Sequence, residues 1–347
     1  MGTADIIIKF VLIVIIFLIS LVVAMYSTYA ERKIAAFFQD RVGPNRAGPF
    51  GILQPLADGA KMFLKEEIIP TNSSGFLFIV GPSLAIMTAC IGSAVIPWGE
   101  KLTIGTHVID LQVTDINVGV LYIFGVVSLG VYGVMIGGWA SNNKYSLLGA
   151  IRAASQNISY EIAMGLSIIA LLMTTGTLSL REIASQQHAF WANGWFTWNF
   201  FKQPLGFLIF IVCAFAETNR TPFDLPECET ELVGGYHTEY SSMKLGFYLF
   251  AEYINMFVSG AVMATLYFGG YNFPFMHSLG LGENWVTILG VIALFVKIFL
   301  FIFFFMWVRW TIPRFRYDQL MDLGWKTLIP LAIANIVITG LWMTFIK

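Results

Sequence analysis

Eight apolar segments divide this sequence of 347 residues, and each is long enough, or nearly so, to cross a bilayer as a helix. Crossing roughly 30 Å of hydrocarbon takes about 20 helical residues. The segments lie at residues 6–30, 76–97, 116–139, 158–178, 204–216, 245–267, 285–308 and 327–346. With 57% hydrophobic and 12% charged residues, the chain has more apolar surface than a soluble domain buries. The pattern predicts an all-α polytopic membrane protein with eight transmembrane helices, in a single membrane domain over residues 1–347.

Basic residues are divided unevenly between the two sets of predicted loops. Fourteen Lys and Arg residues follow odd-numbered segments, whereas five lie on the opposite side. Because basic loops stay on the cytoplasmic side, we expect the odd-numbered loops to be cytoplasmic. We favour a bacterial plasma membrane over a mitochondrial inner membrane. The net charge of −1, without a basic stripe, gives no indication of nucleic-acid binding.

The first long loop contains a helix of another kind, at about residues 45–66. Apolar residues recur on one helical face at Leu53, Leu56, Ala60, Phe63 and Leu64. The opposite face carries Asp58, Lys61, Lys65 and Glu66. This spacing predicts an amphipathic helix that lies in the membrane interface or re-enters it. Such a helix either tethers the loop to lipid headgroups or, with Arg32, Arg41 and Arg46 above it, orients a polar headgroup that enters from lipid.

Acidic residues are concentrated in the loop at about residues 217–244. Six of the 21 acids lie within it, namely Glu217, Asp224, Glu227, Glu229, Glu231 and Glu239. Arg220 lies among them. Two prolines, Pro222 and Pro226, should end the fifth helix, so we expect the later acids on irregular backbone. Irregular backbone at membrane depth must be buried in protein or line a cavity.

The depth of Glu217 depends on where the fifth helix begins. If Pro204 lies in the first turn, Glu217 is roughly 20 Å along the helix and inside the membrane. If the helix begins near Trp195 or Trp198, Glu217 reaches water. We predict the first arrangement and keep the second as its alternative.

Three more ionisable residues lie within the apolar segments. Glu252 is about two turns from Lys244, and Lys297 is near the middle of the seventh segment, where it should face a carboxylate or a wet cavity. Glu161 is either a similar residue or a first-turn acid favoured by the helix dipole. Acids that are neighbours across helices exchange protons near neutral pH. The pattern predicts a proton relay through Glu161, Glu217, Glu227, Glu229 and Glu252.

Nothing in the sequence indicates a redox or metal centre within the chain. The three cysteines and four histidines are scattered, without the spacing of a disulfide, zinc or iron–sulfur site. No nucleophile motif, P-loop or dinucleotide fingerprint is present. We therefore expect no catalytic residues and no metal, and we expect bound redox centres to come from partners.

Four strings carry a family resemblance. They are ERKIAAFFQDRVGPNRAGPFGILQPLADGAKMFLKE (31–66), SQNISYE (155–161), AETNRTPFDLPECETELVGGYHTEY (216–240) and PRFRYDQLM (313–321). In this order they closely resemble the H-subunit family of the proton-pumping NADH–quinone oxidoreductases, respiratory complex I, which includes subunit 1 of mitochondrial NADH dehydrogenase. The resemblance covers nearly the whole chain.

The resemblance implies a subunit at the junction of the peripheral and membrane arms of that enzyme. It places residues along the quinone entrance and lower chamber, namely Arg32, Arg41, Asp58, Lys61 and Phe223, with Arg316 in the supporting loop. It matches a relay to Glu161, Glu217, Glu227, Glu229 and Glu252, to which we add Lys297. Loop support falls to Arg220, Asp224 and Glu231.

The resemblance also implies cofactors and partners. Quinone is the substrate, no redox centre lies in this chain, and FMN and iron–sulfur clusters lie in partner subunits. The implied partners are peripheral quinone-site and iron–sulfur subunits, small membrane subunits, antiporter-like subunits and membrane lipid. Two alternatives remain open from the residues, the anchor subunit of an energy-converting hydrogenase and a stand-alone proton-coupled transporter. The absence of an inverted repeat in the sequence counts against the transporter.

Overall fold

The structure, a computed structural model, is helical almost throughout. It describes residues 3–105, 107–187, 197–274, 276, 280 and 282–345, without the side chains of residues 3–5, 104 and 229. The helices are α1 (Thr3–Phe38), α2 (Gln54–Leu64), α3 (Gly75–Ile91), α4 (Gly119–Ala140), α5 (Lys144–Thr175), α6 (Leu180–Ser185), α7 (Asn199–Lys202), α8 (Pro204–Glu217), α9 (Glu229–Leu232), α10 (Ser242–Tyr267), α11 (Glu283–Thr311), α12 (Tyr317–Asp322) and α13 (Ile329–Phe345). Two short strands, β1 (Lys101–Ile104) and β2 (His107–Asp110), pair antiparallel.

Seven helical segments of the described chain are long and apolar enough to cross a membrane. Their bounds are Ile6–Phe38, Gly75–Val95, Gly119–Ala140, Lys144–Thr175, Ser242–Tyr267, Glu283–Thr311 and Tyr317–Phe345. The eighth predicted span is the shorter apolar helix α8, whose 14 residues extend about 21 Å. The all-α membrane class is confirmed, and seven of the eight predicted spans reach a crossing length.

The start of α8 agrees with the first of the two arrangements considered for Glu217. Pro204 lies in the first turn of α8, and Gln203 before it has non-helical backbone angles, φ −134° and ψ 58°. The short helix α7 precedes that break, so no continuous helix runs from Trp198 into α8. Trp195, the other start considered, lies outside the described residues. Glu217 is therefore the last residue of a helix that is too short to cross the membrane.

Three predicted boundaries and one missing element differ from the structure. α5 begins at Lys144 instead of residue 158, so Glu161 lies in its middle and not in its first turn. α1 continues to Phe38 instead of ending at residue 30, because the small residues Ala35 and Ala36 pack almost fully buried beyond the charged positions. The last span begins at Tyr317 instead of residue 327, through a π-helical turn at Leu323–Leu328. The β-hairpin was not predicted, since strands of four residues give little alternation to detect.

The bundle is built around α10, which packs against α1, α3 and α11. α4 lies between α3 and α5, and α5 also contacts α8 and α13. Residues 218–241, between α8 and α10, form one end of the bundle, which we call the acidic end. They contact the segment that follows α2 and the segment that precedes α12. The β-hairpin, α6, α7 and the loop after α10 form the other end, the hairpin end. There Thr103 N–H donates to Asn284 Oδ1 on α11 (2.9 Å), which joins the hairpin to the bundle.

Glycines allow α3 and α4 to pack closely. A Cβ on Gly133 would lie 2.8 Å from the backbone nitrogen of Ala85, and a Cβ on Gly81 would lie 2.8 Å from the Cα of Gly137. A Cβ on Gly137 would also lie 1.8 Å from the hydroxyl oxygen of Tyr248, on α10. The three helices therefore meet where no side chain fits.

We expect Gly137→Ala to destabilise the subunit by about 1–3 kcal/mol, because the Tyr248 ring must move out of a packed site. Thermal inactivation of detergent-extracted protein measures this loss. The matched control is Gly125→Ala on the same helix, where a Cβ meets no atom within 4 Å and the change should be neutral or stabilise by up to about 1 kcal/mol. Equal behaviour of the two variants would contradict the packing argument.

Candidate functional site

Arg220 is the buried centre of the acidic end. Its side chain is 2% exposed, and its Nη1 donates to Glu31 Oε2 at 2.9 Å. Its Nε lies 2.8 Å from Glu252 Oε1, as an ion pair without hydrogen-bond geometry. The guanidinium also lies over the ring of Tyr253, 4.2 Å from its centroid. One cation thus joins the end of α1, the loop after α8 and the middle of α10.

A second arginine completes this group. Arg309, at the end of α11, lies 2.7 Å from Glu31 Oε1, and the Tyr253 hydroxyl donates to Glu31 Oε2 at 2.8 Å. Two arginines and two glutamates, Glu31 and Glu252, lie within ion-pair distance in this group. Burial alone would lower the pKa of Arg220, but Glu252 and Glu31 raise it well above its ordinary value. Arg220 is therefore a permanent cation, and we call these five residues the Arg220 network.

The backbone around Arg220 is irregular and is stabilised by α5. After α8 ends, Asn219 takes a positive φ of 50°, and the Thr221–Pro222 peptide is cis. Gln156, fully buried on α5, donates through Nε2 to the carbonyl oxygens of Ala216 (2.8 Å) and Phe223 (2.9 Å). Backbone groups away from water need such partners. This amide therefore fixes the turn that directs Arg220 inward.

Glu217 borders two small cavities. One, of about 30 Å³, runs along α10 past Asn255 and Ser259 to Val262. The other, of about 40 Å³, is also lined by Glu252 and Asn255. Each has room for water. Within the described residues, the Glu217 carboxyl group makes no ion pair or hydrogen bond, so water is the partner available to it.

The other predicted relay acids extend this group on both sides. Ser128 on α4 donates to Glu161 on α5, and Glu161 is an electrostatic neighbour of Glu217. Glu227 accepts a hydrogen bond from Tyr236 at 3.0 Å and is an electrostatic neighbour of Glu252. Burial, with Glu227 next, raises the pKa of Tyr236 well above its ordinary value, so Tyr236 stays a donor. The structure brings Glu161, Glu217, Glu252 and Glu227 together as neighbours.

The structure does not place the other two predicted relay residues in this line. The side chain of Glu229 lies outside the described part of the chain. Lys297 bonds to backbone carbonyl oxygens at the hairpin end, and no carboxylate forms an ion pair with it among the described residues. The carboxylate that Lys297 was expected to face is not among its described partners, because the loop after α10 folds back and presents carbonyl oxygens to it.

The loop-support residues tie the acidic end to the rest of the chain. Arg314, just after α11, lies 2.9 Å from Asp224, and Phe315 N–H donates to the Pro222 carbonyl oxygen at 3.2 Å. Arg152 on α5 pairs with Glu231 at 2.6 Å, where both are partly exposed. Burial, with Glu227 next, raises the pKa of Asp224 to about 7, although Arg314 opposes the shift.

Of the residues assigned to the quinone route, Arg32 and Asp58 pair with each other, and the other four have different partners or surroundings. Arg32 pairs with Asp58 of α2 at 2.8 Å, and Gln54 donates to the same carboxylate at 3.0 Å. Lys61 is exposed on α2. The exposed Arg41 and Arg316 bond to their neighbours Gln39 and Asp318. Phe223 is 3% exposed and packs against Tyr160 and Phe315, so it belongs to the core of the loop.

Sequence reasoning missed Glu31, Arg309 and Arg314. Glu31 stands directly before Arg32 and Lys33, which made it resemble the start of a solvated loop. In the structure it is 6% exposed, because α1 continues past it. The one signal in the sequence was the position of Glu31, a single acid directly after an apolar segment. Nothing in the sequence gives the partners of the two arginines.

Nearly the whole chain is similar to known proteins. The sequence model of a family described as NADH dehydrogenase matches residues 10–340. The first H subunit of the NADH-quinone oxidoreductase of Cytophaga hutchinsonii is 71% identical over 332 residues, 96% of this chain and 95% of that protein. The H subunit of the same enzyme from Flavobacterium psychrophilum is 65% identical over 349 aligned positions, 100% of both chains. The second H subunit of Geobacter metallireducens is 49% identical over 340 residues, 95% of this chain and 93% of that protein.

We expect Arg220→Met to cost about 3–5 kcal/mol, because Glu31 and Glu252 would remain buried without their shared cation. The yield of assembled protein on native gels and its thermal inactivation measure this loss. Arg152→Met is the matched control, since it breaks a partly exposed pair with Glu231 and should cost about 1 kcal/mol or less. Similar losses from both substitutions would show that Arg220 is no more important than a surface arginine.

Stability should fall as pH rises from about 4 to about 7. Because the pKa of Asp224 is raised from 3.8 to about 7, the native protein keeps a proton that the unfolded chain has lost in that window. The slope is at most about 1.4 kcal/mol per pH unit. Thermal inactivation measured from pH 5 to 8 tests it. Asp224→Asn should flatten the slope. Asp110→Asn, at an exposed pair with Arg181, is the control and should keep it. An unchanged slope in Asp224→Asn would refute the assignment of the slope to Asp224.

Proposed function

Because this chain belongs to the NADH dehydrogenase family, and within it to the H subunits of NADH–quinone oxidoreductase, we propose that it couples quinone reduction to proton translocation through its buried carboxylates. It is a membrane subunit of that enzyme complex and works together with other subunits. Its relatives are bacterial, which favours a plasma membrane. The comparisons favour this function over a hydrogenase anchor or a stand-alone transporter.

The observation that supports the proposal is the line of neighbouring acids from Glu161 through Glu217 and Glu252 to Glu227. Acids at membrane depth are rare and usually serve proton or ion movement. Glu217 has a water-sized cavity on each side and no protein partner in the described residues, so it is suited to taking up and releasing a proton. Glu252 shares one of those cavities, which gives the proton a short path between them.

Arg220 makes the line of acids sensitive to a change of charge on any acid that it contacts. It is shared between Glu31 and Glu252, so a change of charge on one acid alters the attraction of the arginine for the other. Glu227 and Asp224 lie in the loop at the acidic end, where we propose that the partner subunits bind. We propose that reduction of quinone beside the partner subunits changes the charge or geometry of this loop, and that Arg220 passes the change to Glu252.

The quinone route forms the second part of the proposal. The apolar side chains Leu56, Phe63 and Leu64 of α2 are exposed, and the Arg32–Asp58 pair lies above them, 49% and 37% exposed. A quinone tail can lie along this apolar face, while Arg32 offers a donor to the carbonyl headgroup. Arg41, Lys61 and Arg316 would extend this polar rim, and Phe223 would support it from within.

The remaining assignments follow from the family. Quinone is the substrate, and FMN and iron–sulfur clusters belong to partner subunits. Peripheral quinone-site and iron–sulfur subunits would meet the acidic end, and small membrane and antiporter-like subunits would meet the bundle. We also propose that the acidic end faces the cytoplasm, since fourteen of the basic residues lie in the loops on that side. Glu229 would continue the relay from the loop.

We expect Glu217→Gln and Glu252→Gln enzymes to assemble and to translocate fewer protons per NADH oxidised, because an amide cannot carry the proton. Simultaneous recording of NADH oxidation and of proton uptake in vesicles measures this ratio. Glu283→Gln is the matched control, since Glu283 is an exposed acid at the other end of the bundle. Fully assembled Gln variants with the normal rate and stoichiometry would rule out the relay.

A further inference from the structure

Lys297 lies at membrane depth, at the hairpin end of the bundle. It is in the middle of α11, about 21 Å along the helix from Glu283. Its Nζ donates to the carbonyl oxygens of Phe268 (2.7 Å), Gly270 (2.7 Å) and Asn272 (2.5 Å). All three belong to the loop after α10. This loop therefore turns back into the bundle, and Lys297 satisfies its irregular backbone.

The arrangement of acceptors favours the charged form of Lys297. Three acceptors surround the nitrogen, and an ammonium has three N–H donors, whereas a neutral amine has two and a lone pair that would face a carbonyl oxygen. The ring of Trp198 covers the ammonium, 5.2 Å from its centroid. The end of α10 contributes roughly half a negative charge, so a net positive charge remains at this level. No carboxylate in the described part of the chain forms an ion pair with it.

Buried amides surround this charge. Gln187 accepts from the backbone N–H groups of Asn199 (3.0 Å) and Gly269 (3.1 Å), and its own amide donates to Thr265. Asn199 donates to the carbonyl oxygen of Leu266 at 2.9 Å, and Asn272 donates to that of Ala184 at 2.7 Å. The three amide side chains are at most 5% exposed. We call Lys297, Gln187, Asn199 and Asn272 the plug.

The region on the other side of α10 is different in character. The cavity that starts at Glu217 passes Asn255 and Ser259, and the Ser259 hydroxyl is buried without a hydrogen-bond partner. The cavity ends at Val262, about 9 Å along the helix before Phe268. The cavity therefore ends before the loop whose carbonyl oxygens bind Lys297.

We propose that the plug is an electrostatic barrier that prevents protons from passing between the carboxylates and the hairpin end of this subunit. A fixed positive charge repels hydronium, and amides already bonded to backbone leave no sites for a continuous chain of water. The inference rests on the proposed function only in that the acids carry protons. The barrier itself is a property of the plug.

The test is passive proton entry into proteoliposomes that contain the whole enzyme complex without NADH. A potassium diffusion potential drives the protons, and an enclosed pH-sensitive dye reports them. Lys297→Gln keeps two N–H donors and removes the charge, so proton entry should rise at least about tenfold, which corresponds to about 1.4 kcal/mol of barrier. Lys297→Arg keeps the charge and should match the wild type. An assembled Lys297→Gln complex that is as tight as the wild type overturns the proposal.

A second measurement uses the unaltered complex and decides the matter if Lys297→Gln does not assemble. In a high-resolution electron cryomicroscopy map, ordered waters should fill the cavities beside Glu217 and Asn255 and be absent between Gln187 and Lys297. A continuous water chain from Ser259 to the hairpin end overturns the barrier. Normal pumping by Glu217→Gln would remove the relay and leave both of these results unchanged, so the two proposals fail separately.

Discussion

The organisation of the acidic end depends on one buried cation. Arg220 is held by carboxylates from α1 and α10, and Arg309 from α11 contacts the first of them, Glu31. Burying any of these charges alone would cost several kcal/mol, whereas two positive and two negative charges within ion-pair distance compensate for the loss of water. The loop after α8 is thereby fixed at a depth where irregular backbone needs internal partners. Among the acids of the proposed relay, Glu252 belongs to this group and Glu227 lies in the loop that it fixes.

The described chain uses polar side chains at membrane depth in two ways. Around Glu217, the carboxyl group and the Ser259 hydroxyl lack protein partners and face cavities of water size. Around Lys297, the donors meet backbone carbonyl oxygens directly. The first arrangement permits protons to change place, because water can rearrange. The second fixes a charge, because each bond is already made. A protein that moves protons in one direction needs both.

Much of the fold follows from the sequence, since hydropathy fixes the long helices and Pro204 fixes the start of α8. The position of Glu252 inside the apolar helix α10 followed in the same way. The partners of the charged residues did not. Glu31 pairs with an arginine 189 residues away, and no local pattern encodes that distance. Lys297 was expected to meet an acid because local reasoning counts only side chains, and its partners are carbonyl oxygens of a loop that folds back.

The end of α11 and the segment that follows it hold two arginines five residues apart, with different partners. Arg309 binds Glu31 at the end of α1, and Arg314 binds Asp224 in the acidic loop. These two ion pairs thus link the first helix to the loop. A displacement of the loop pulls on α1 through these two ion pairs, and α1 also carries Arg32, the partner of Asp58. Movement of the loop would therefore also shift α1 and its pair with α2.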